Sequence, residues 1–277
     1  MNQTQEFWSV VRLLNQRLGY HERASSKTPQ PNFIVPTAQD IVAAFGREGL
    51  HHTRLVDQDM LLTKFGQHIM DYYRFRSDLL NNEVEPHLLD ATEAEALFNK
   101  IKVRVNPPVS LLPMNKQKGA KKNYNFLIGI VNMLIFEGLG GLSFNPDPRE
   151  LTAITKDNFP VRTLSRRLDG AYPNAIDPVA VWEIKEYYHT TTFGSRIADG
   201  VYETMLDGYE LEEVRKNLNI HIKHYLFIDA HYTWWKMGKS YLCRMVDIVH
   251  MGLVDEVVVG REVETRIPAL VAEWMAI

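Results

Sequence analysis

The sequence predicts an α/β protein, with a mixed central sheet flanked by helices and a mainly helical N-terminal region ahead of it. Two observations carry this. In the first half apolar residues recur at helical spacing, as at Phe7, Val10, Val11, Leu14 and Leu18. In the second half, short apolar runs bounded by turn residues alternate with helical stretches, in the order α-β-β-β-α-β-α-β.

The first helix ends where GYHERASSKTPQPNF breaks the apolar period with polar residues and prolines. Thr37 is placed as the N-cap of AQDIVAAFGREGL, and residues 60–80 keep a long apolar periodicity. Thr92, with Glu95 three residues on, forms a capping-box pattern at the head of EAEALFNKIK. Pro107, Pro108 and Pro113 then bound an irregular stretch. Residues 106–122 are the expected boundary between a helical region, 1–115, and a second domain, 123–277. In that domain residues 125–137 predict an apolar helix stopped by GLGG. Strands are expected at 151–154, 161–168 and 179–188, with KDNFP and GAYPNAIDP as the turns between them. A helix from Ser195 to about Leu218, a strand YLFIDA at 225–230, a helix at 240–251 and a strand at 256–259 complete the order.

With 277 residues, 45% hydrophobic and 23% charged, the chain has ordinary globular composition and length for a sizeable core. Its net charge of −3 supplies no overall attraction to nucleic acid or anionic membrane, so a nucleic-acid role needs local basic patches. The single cysteine, Cys243, excludes an intrachain disulfide and fits a reducing cytosol. The first residues lack the basic-then-apolar pattern of a signal peptide, and the apolar run 126–136 is too short to span a bilayer. The expectation is a cytoplasmic protein with no membrane partner.

The stretch VAVWEIKEYY (179–188) carries the chemistry. Residues two apart on a strand share a face, so Glu183 and Lys185 point one way and Trp182 and Ile184 the other. One reading is a strand with a same-face ion pair. The other starts from the apolar run ahead of the pair, because a buried charge needs a partner or a metal. A hard cation such as Mg2+, with Mn2+ as the alternative, takes carboxylate oxygens plus water and substrate phosphate. Glu183 and the carbonyl of Ile184 are candidate ligands, and Lys185 would lie near the attacking water. A second carboxylate comes from Asp169 or Asp177. A continuous strand from Asp177 to Glu183 separates their backbones by roughly 20 Å, so Asp169, across a turn on the preceding strand, is preferred.

Asp169, the triplet Glu183-Ile184-Lys185, the helix after it and the YLFIDA strand together resemble the PD-(D/E)XK nuclease superfamily, which includes restriction endonucleases. The resemblance covers residues 125–259 and departs at Leu168, where the family has proline. It implies a restriction endonuclease-like αβββαβ core. It also implies Mg2+-dependent hydrolysis of DNA phosphodiesters, with Asp169, Glu183 and Lys185 catalytic and Glu137, from the helix before the meander, as a further metal ligand. A restriction or phage-defence nuclease acting on double-stranded DNA, as a homodimer or within a defence complex, is the implied role. A non-catalytic DNA-binding or assembly module that keeps the fold is the alternative.

Basic residues that would meet the DNA backbone are Lys116, Lys118, Lys121 and Lys122 in one loop, and Arg166 and Arg167 beside Asp169. Ser195 and Arg196, at a helix N-terminus, would hold a phosphate. Each has a plainer reading, as a solvated linker, a strand flank and an N-cap. Trp234-Trp235 would stack a base or pack in a core. The phosphate-loop, HExxH and GxSxG signatures are absent from the sequence.

Overall fold

Threonines start all three N-terminal helices. Thr4, Thr37 and Thr63 accept the N–H groups of Phe7, Asp40 and Gly66, and cap α1 (Gln5–Leu18), α2 (Ala38–Arg47) and α3 (Lys64–Leu79). In the computed structural model the described residues are 3–23, 32–115, 119, 122–188 and 194–277, with the side chains of 195 and 196 outside them. The chain divides into two units, Met1–Pro86 with Trp235–Met251 and His87–Trp234 with Gly252–Ile277.

In the first unit Phe7, Val11, Leu14, Ile41, Phe45, Ile69 and Tyr73 form the core. The helix Lys239–His250, from late in the chain, belongs to this unit. Arg76 of α3 is 1% exposed. Its guanidinium donates to Asp247 at 2.9 Å and to Asn15 at 3.2 Å, and lies 4.6 Å from the centre of the Tyr73 ring. A buried guanidinium is tolerable only with such partners.

The single turn α4 (Glu85–His87) leads into the second unit, where α5 (Ala91–Val105) starts at Asp90, not Thr92. Asp90 and Glu93 form the capping box, two residues ahead of the expected pair. Leu97, Phe98 and Ile101 of α5 pack with Phe126, Ile130 and Leu134 of α6 (Phe126–Leu139). A Cβ at Gly129 would lie 2.5 Å from the Phe98 ring, so that glycine sets how close the helices come. The described residues of 106–122 thus belong to the second unit, and the division falls near residue 86 in place of the expected 115–123.

The expected three-strand meander is split. β1 (Ala153–Lys156) and β2 (Phe159–Thr163) close a separate antiparallel hairpin through Asp157 and Asn158, both at positive φ. The second expected strand thus ends at Thr163, and residues 164–169 run on as irregular backbone. The strand beside the catalytic candidate is instead the short β3 (Gly170–Tyr172), inside the stretch read as a turn. Gly170 is there for close packing, because a Cβ would meet the Trp182 indole at 2.1 Å.

The main sheet runs β3, β4 (Ala180–Glu186), β5 (Lys223–Asp229), β6 (Glu256–Val259), with β3 antiparallel to β4 and the last three parallel. Ala180, Trp182, Ile184, Tyr225, Phe227 and Val258 face α6 and α9 (Val263–Met275), where Trp182 stacks on Trp274 at 5.4 Å. Val181 faces the other way, onto Leu211 and Val214 of α7 (Ser195–Leu218). The helix Lys239–His250, labelled α8, follows β5 in the chain. The protein is therefore mixed α/β with a helical N-terminal region.

Candidate functional site

Glu183 and Lys185 follow Val181 on the face turned to α7, as the period of two requires. The pairing of Gly170 with Trp182, taken one step further, sets Asp169 opposite Glu183. Hydrogen bonds hold it there: the Asp169 N–H donates to the Trp182 carbonyl at 3.1 Å, and the Ile184 N–H donates to Asp169 Oδ2 at 2.8 Å. Glu183 is fully buried, its Oε2 accepting from Lys185 Nζ at 2.7 Å. Asp177 lies elsewhere, in a turn at positive φ, accepting from the N–H and hydroxyl of Thr155 at 2.6 Å each.

α7 supplies what the sequence reading missed. Lys185 Nζ also donates to Glu203 at 3.0 Å. Arg166 Nη1 bridges Glu183 Oε1 at 2.8 Å and Asp207 Oδ2 at 2.6 Å, while its Nη2 reaches Glu203 at 3.2 Å. Glu210 of the same helix holds the segment before Arg166, accepting from Arg162 Nη2 at 3.0 Å and from the Ser165 N–H and hydroxyl at 3.0 and 2.9 Å. Glu203, Asp207 and Glu210 recur at steps of four and three, one stripe of a helix. That spacing was the available signal. Gly200, one turn ahead, leaves room for the Lys185 stem, to which a Cβ there would come within 3.4 Å.

The cluster thus joins the carboxyls of Glu183, Glu203 and Asp207 to two cations, Arg166 and Lys185, with the Asp169 carboxyl next to it on the Ile184 N–H. Burial works to raise Glu183, but the charges of Lys185 and Arg166 outweigh it and hold that carboxyl below its ordinary range. Burial, then the charge of Glu183, pushes Asp169 up to about 6. Burial likewise pushes Asp207 up to about 7 against the pull of Arg166. Burial would lower Lys185, yet Glu183 and Asp169 keep it charged.

With every carboxyl ionised, negative charge exceeds positive, and the donors are hard oxygens, the set that suits Mg2+ or Mn2+. Asp207 Oδ1 is buried with no hydrogen-bond partner. Among the described residues no group of three or more His, Cys, Asp or Glu side chains is arranged around an ion position. Arg166 and Lys185 stand between the carboxylates instead.

Other candidates lie apart. Glu137 is paired with Arg104 at 2.6 Å on α6, which packs on the Trp182 face, so the sheet separates it from Glu183. Arg166, expected to meet DNA, is engaged by the carboxylates above, and Arg167 and Lys122 are exposed. Lys116, Lys118 and Lys121 lie outside the described residues, as do the side chains of Ser195 and Arg196; Ser195 is the first residue of α7, after Gly194. Trp234 and Trp235 are buried, with Tyr187 against Trp234 and Phe33 against Trp235, which is the packing reading.

Residues 89–274 match the family described as domain of unknown function DUF7687, and residues 1–83 match domain of unknown function DUF7690. No curated protein and no solved structure matches the chain. Among the described residues no helix is long and apolar enough to cross a membrane.

Proposed function

The chain belongs to the DUF7687 family, and we propose that it is a Mg2+-dependent endonuclease that hydrolyses DNA phosphodiester bonds. The observation that carries this reading is the placing of Asp169 opposite Glu183 across the β3–β4 hairpin, with Lys185 bonded to Glu183. Carboxylate oxygens suit a hard cation that activates a water for phosphodiester hydrolysis, and a lysine beside them suits the charge of the phosphate.

Asp169 and Glu183 would hold the ion, which when bound supplies a more acidic water and offsets charge on the phosphate. Lys185 keeps its proton at Nζ and donates to Glu183 and Glu203, so its part is to hold and orient an incoming oxygen, not to remove a proton. Arg166, the most open of the inner cations at 23% side-chain exposure, would face a substrate phosphate. A restriction or phage-defence role on double-stranded DNA, in the cytoplasm and as a homodimer or complex subunit, rests on the family resemblance of the sequence alone and belongs to the same proposal.

One observation favours a second reading. Both oxygens of Glu183 are already neutralised, by Arg166 and Lys185, as in a structural ion-pair network on a non-catalytic DNA-binding or assembly module. Incubation with plasmid, single-stranded DNA and RNA, with Mg2+ or with EDTA, separates the two. Cleavage that needs Mg2+ and is lost in Lys185→Ala supports the nuclease. Binding without cleavage under any divalent ion supports the module.

A further inference from the structure

We propose that Glu183 and Asp207 together form a divalent-cation site, taking Mg2+ or Mn2+, whose position the Arg166 guanidinium holds until the ion displaces it. This rests on the metal-dependent reading above and adds a ligand from α7, a helix to which nothing in that reading assigns metal.

Asp207 is fully buried, yet only half of its carboxylate is used. Oδ2 accepts from Arg166 Nη1 at 2.6 Å, and Oδ1 has no donor. Leaving a buried acceptor without a donor is unfavourable, and more so for a charged group. That favours a second positive contact at this carboxylate. The geometry around Arg166 points to where. A guanidinium binds one carboxylate best as a fork, through two parallel N–H groups. Here a single nitrogen, Nη1, is instead shared by carboxylates from a strand and from a helix, at 2.8 and 2.6 Å. Arg166 thus acts as a point charge between converging oxygens, the arrangement that a small hard cation uses better.

Displacement would draw Arg166 towards solvent. Arg166 sits on the irregular stretch between β2 and β3, and its side chain reaches solvent, whereas Glu183 and Asp207 have no exposure. Lys185 can stay on Glu183 Oε2 and Glu203 throughout. The released guanidinium would then present its fork to a phosphate, so ion binding and substrate binding are coupled through one side chain.

The test uses the full chain, with Mn2+ as the probe. Affinity is read by the paramagnetic resonance of free Mn2+ and by the rise in melting temperature on adding Mn2+. Asp207→Asn is expected to weaken binding by about tenfold or more, the scale of losing a group that holds or supports an ion. Arg166→Met removes the competitor and is expected to tighten binding and enlarge the rise in melting temperature. Glu137→Gln should bind as the wild type does.

If Asp169→Asn and Glu183→Gln lose Mn2+ while Asp207→Asn binds like the wild type, this site is wrong and the metal-dependent reading stands. The site is equally wrong if a folded Arg166→Met binds no tighter. Should Arg166→Met not fold, as circular dichroism would show, Asp207→Asn decides alone. A wild-type chain that binds no Mn2+ sinks both.

Discussion

Lys185 and Asp169 differ in what their surroundings do to a proton, and this separates their roles. Lys185 is kept charged by Glu183 and Asp169, so its removal deletes a fixed positive charge beside the proposed reacting centre. Lys185→Ala is expected to lower Mg2+-dependent cleavage by about a hundredfold or more, with an unchanged circular dichroism spectrum. Equal cleavage by the variant would reduce Lys185 to an ion-pair partner. Asp169 is held neutral below about pH 6 by burial and by Glu183. A neutral carboxyl is a poor ligand for a hard cation, so at low Mg2+ the cleavage rate should climb as pH rises through about 6. A flat profile across that range would remove Asp169 from the metal. At this scale the sequence was informative: the period of two in VAVWEIKEYY already set Glu183 and Lys185 on one face, and the rise along a strand kept Asp177 from Glu183 and favoured Asp169. It could not show Arg166 turned inwards or Asp207 beside it, because those contacts span 17 and 41 residues.

Among the elements, the three-residue β3 has the largest consequence for its length. Its register alone places Asp169, and Trp182 over Gly170 secures that register. Gly170→Ala puts a methyl into the indole at 2.1 Å, and the strands can relieve it only by separating. A loss of about 1–3 kcal/mol in urea unfolding is expected, as for other overpacked sites, together with loss of cleavage. Full stability in that variant would show that the indole can move aside. The element reading failed at β3 because glycine beside proline and asparagine is a turn signal unless a ring lies over it. It failed for the second expected strand because Asp157-Asn158 suits a tight hairpin, which paired that strand with β1 and kept it out of the main sheet. Helix starts were more legible, since a threonine cap such as Thr37 acts within three residues.

Across the whole molecule, buried carboxyls make stability depend on pH. Asp169 is raised to about 6, and Asp207, Glu186 and Asp229 to about 7, burial being the largest cause in each. Glu186 accepts the Ile128 N–H at the start of α6, while Asp229 accepts the N–H groups of Leu89 and Ala230 and the Tyr188 hydroxyl. A raised carboxyl binds its proton more tightly in the folded state, so its contribution is complete below about pH 4 and is lost as pH climbs towards 7. Each such group costs roughly 1.4 kcal/mol per pH unit over that window. Glu183, held low, has the opposite sign and loses its contribution only as the solution becomes strongly acidic. The melting temperature should therefore fall from about pH 5 to pH 8, and Asp229→Asn should flatten the fall. A melting temperature that rises over this range would contradict the assignment.

The first unit makes a separate prediction. Arg76 depends on Asp247, 171 residues away. Asp247→Asn leaves a buried guanidinium without its counter-charge and should cost about 3–5 kcal/mol in urea unfolding. A fragment ending at residue 86 should not fold alone.

By itself the sequence determined the α/β class, the helical N-terminal region, most helices and the face shared by Glu183 and Lys185. All of these follow from periodicity and capping within a few residues, where geometry is set by the backbone. The tertiary structure decided which strand pairs with which, that α5 belongs with α6, that Lys239–His250 joins the N-terminal helices, and that α7 brings Glu203 and Asp207 to Arg166. Those are contacts between residues far apart in the chain, and burial and charge choose them only once the sheet has closed and the helices have covered it.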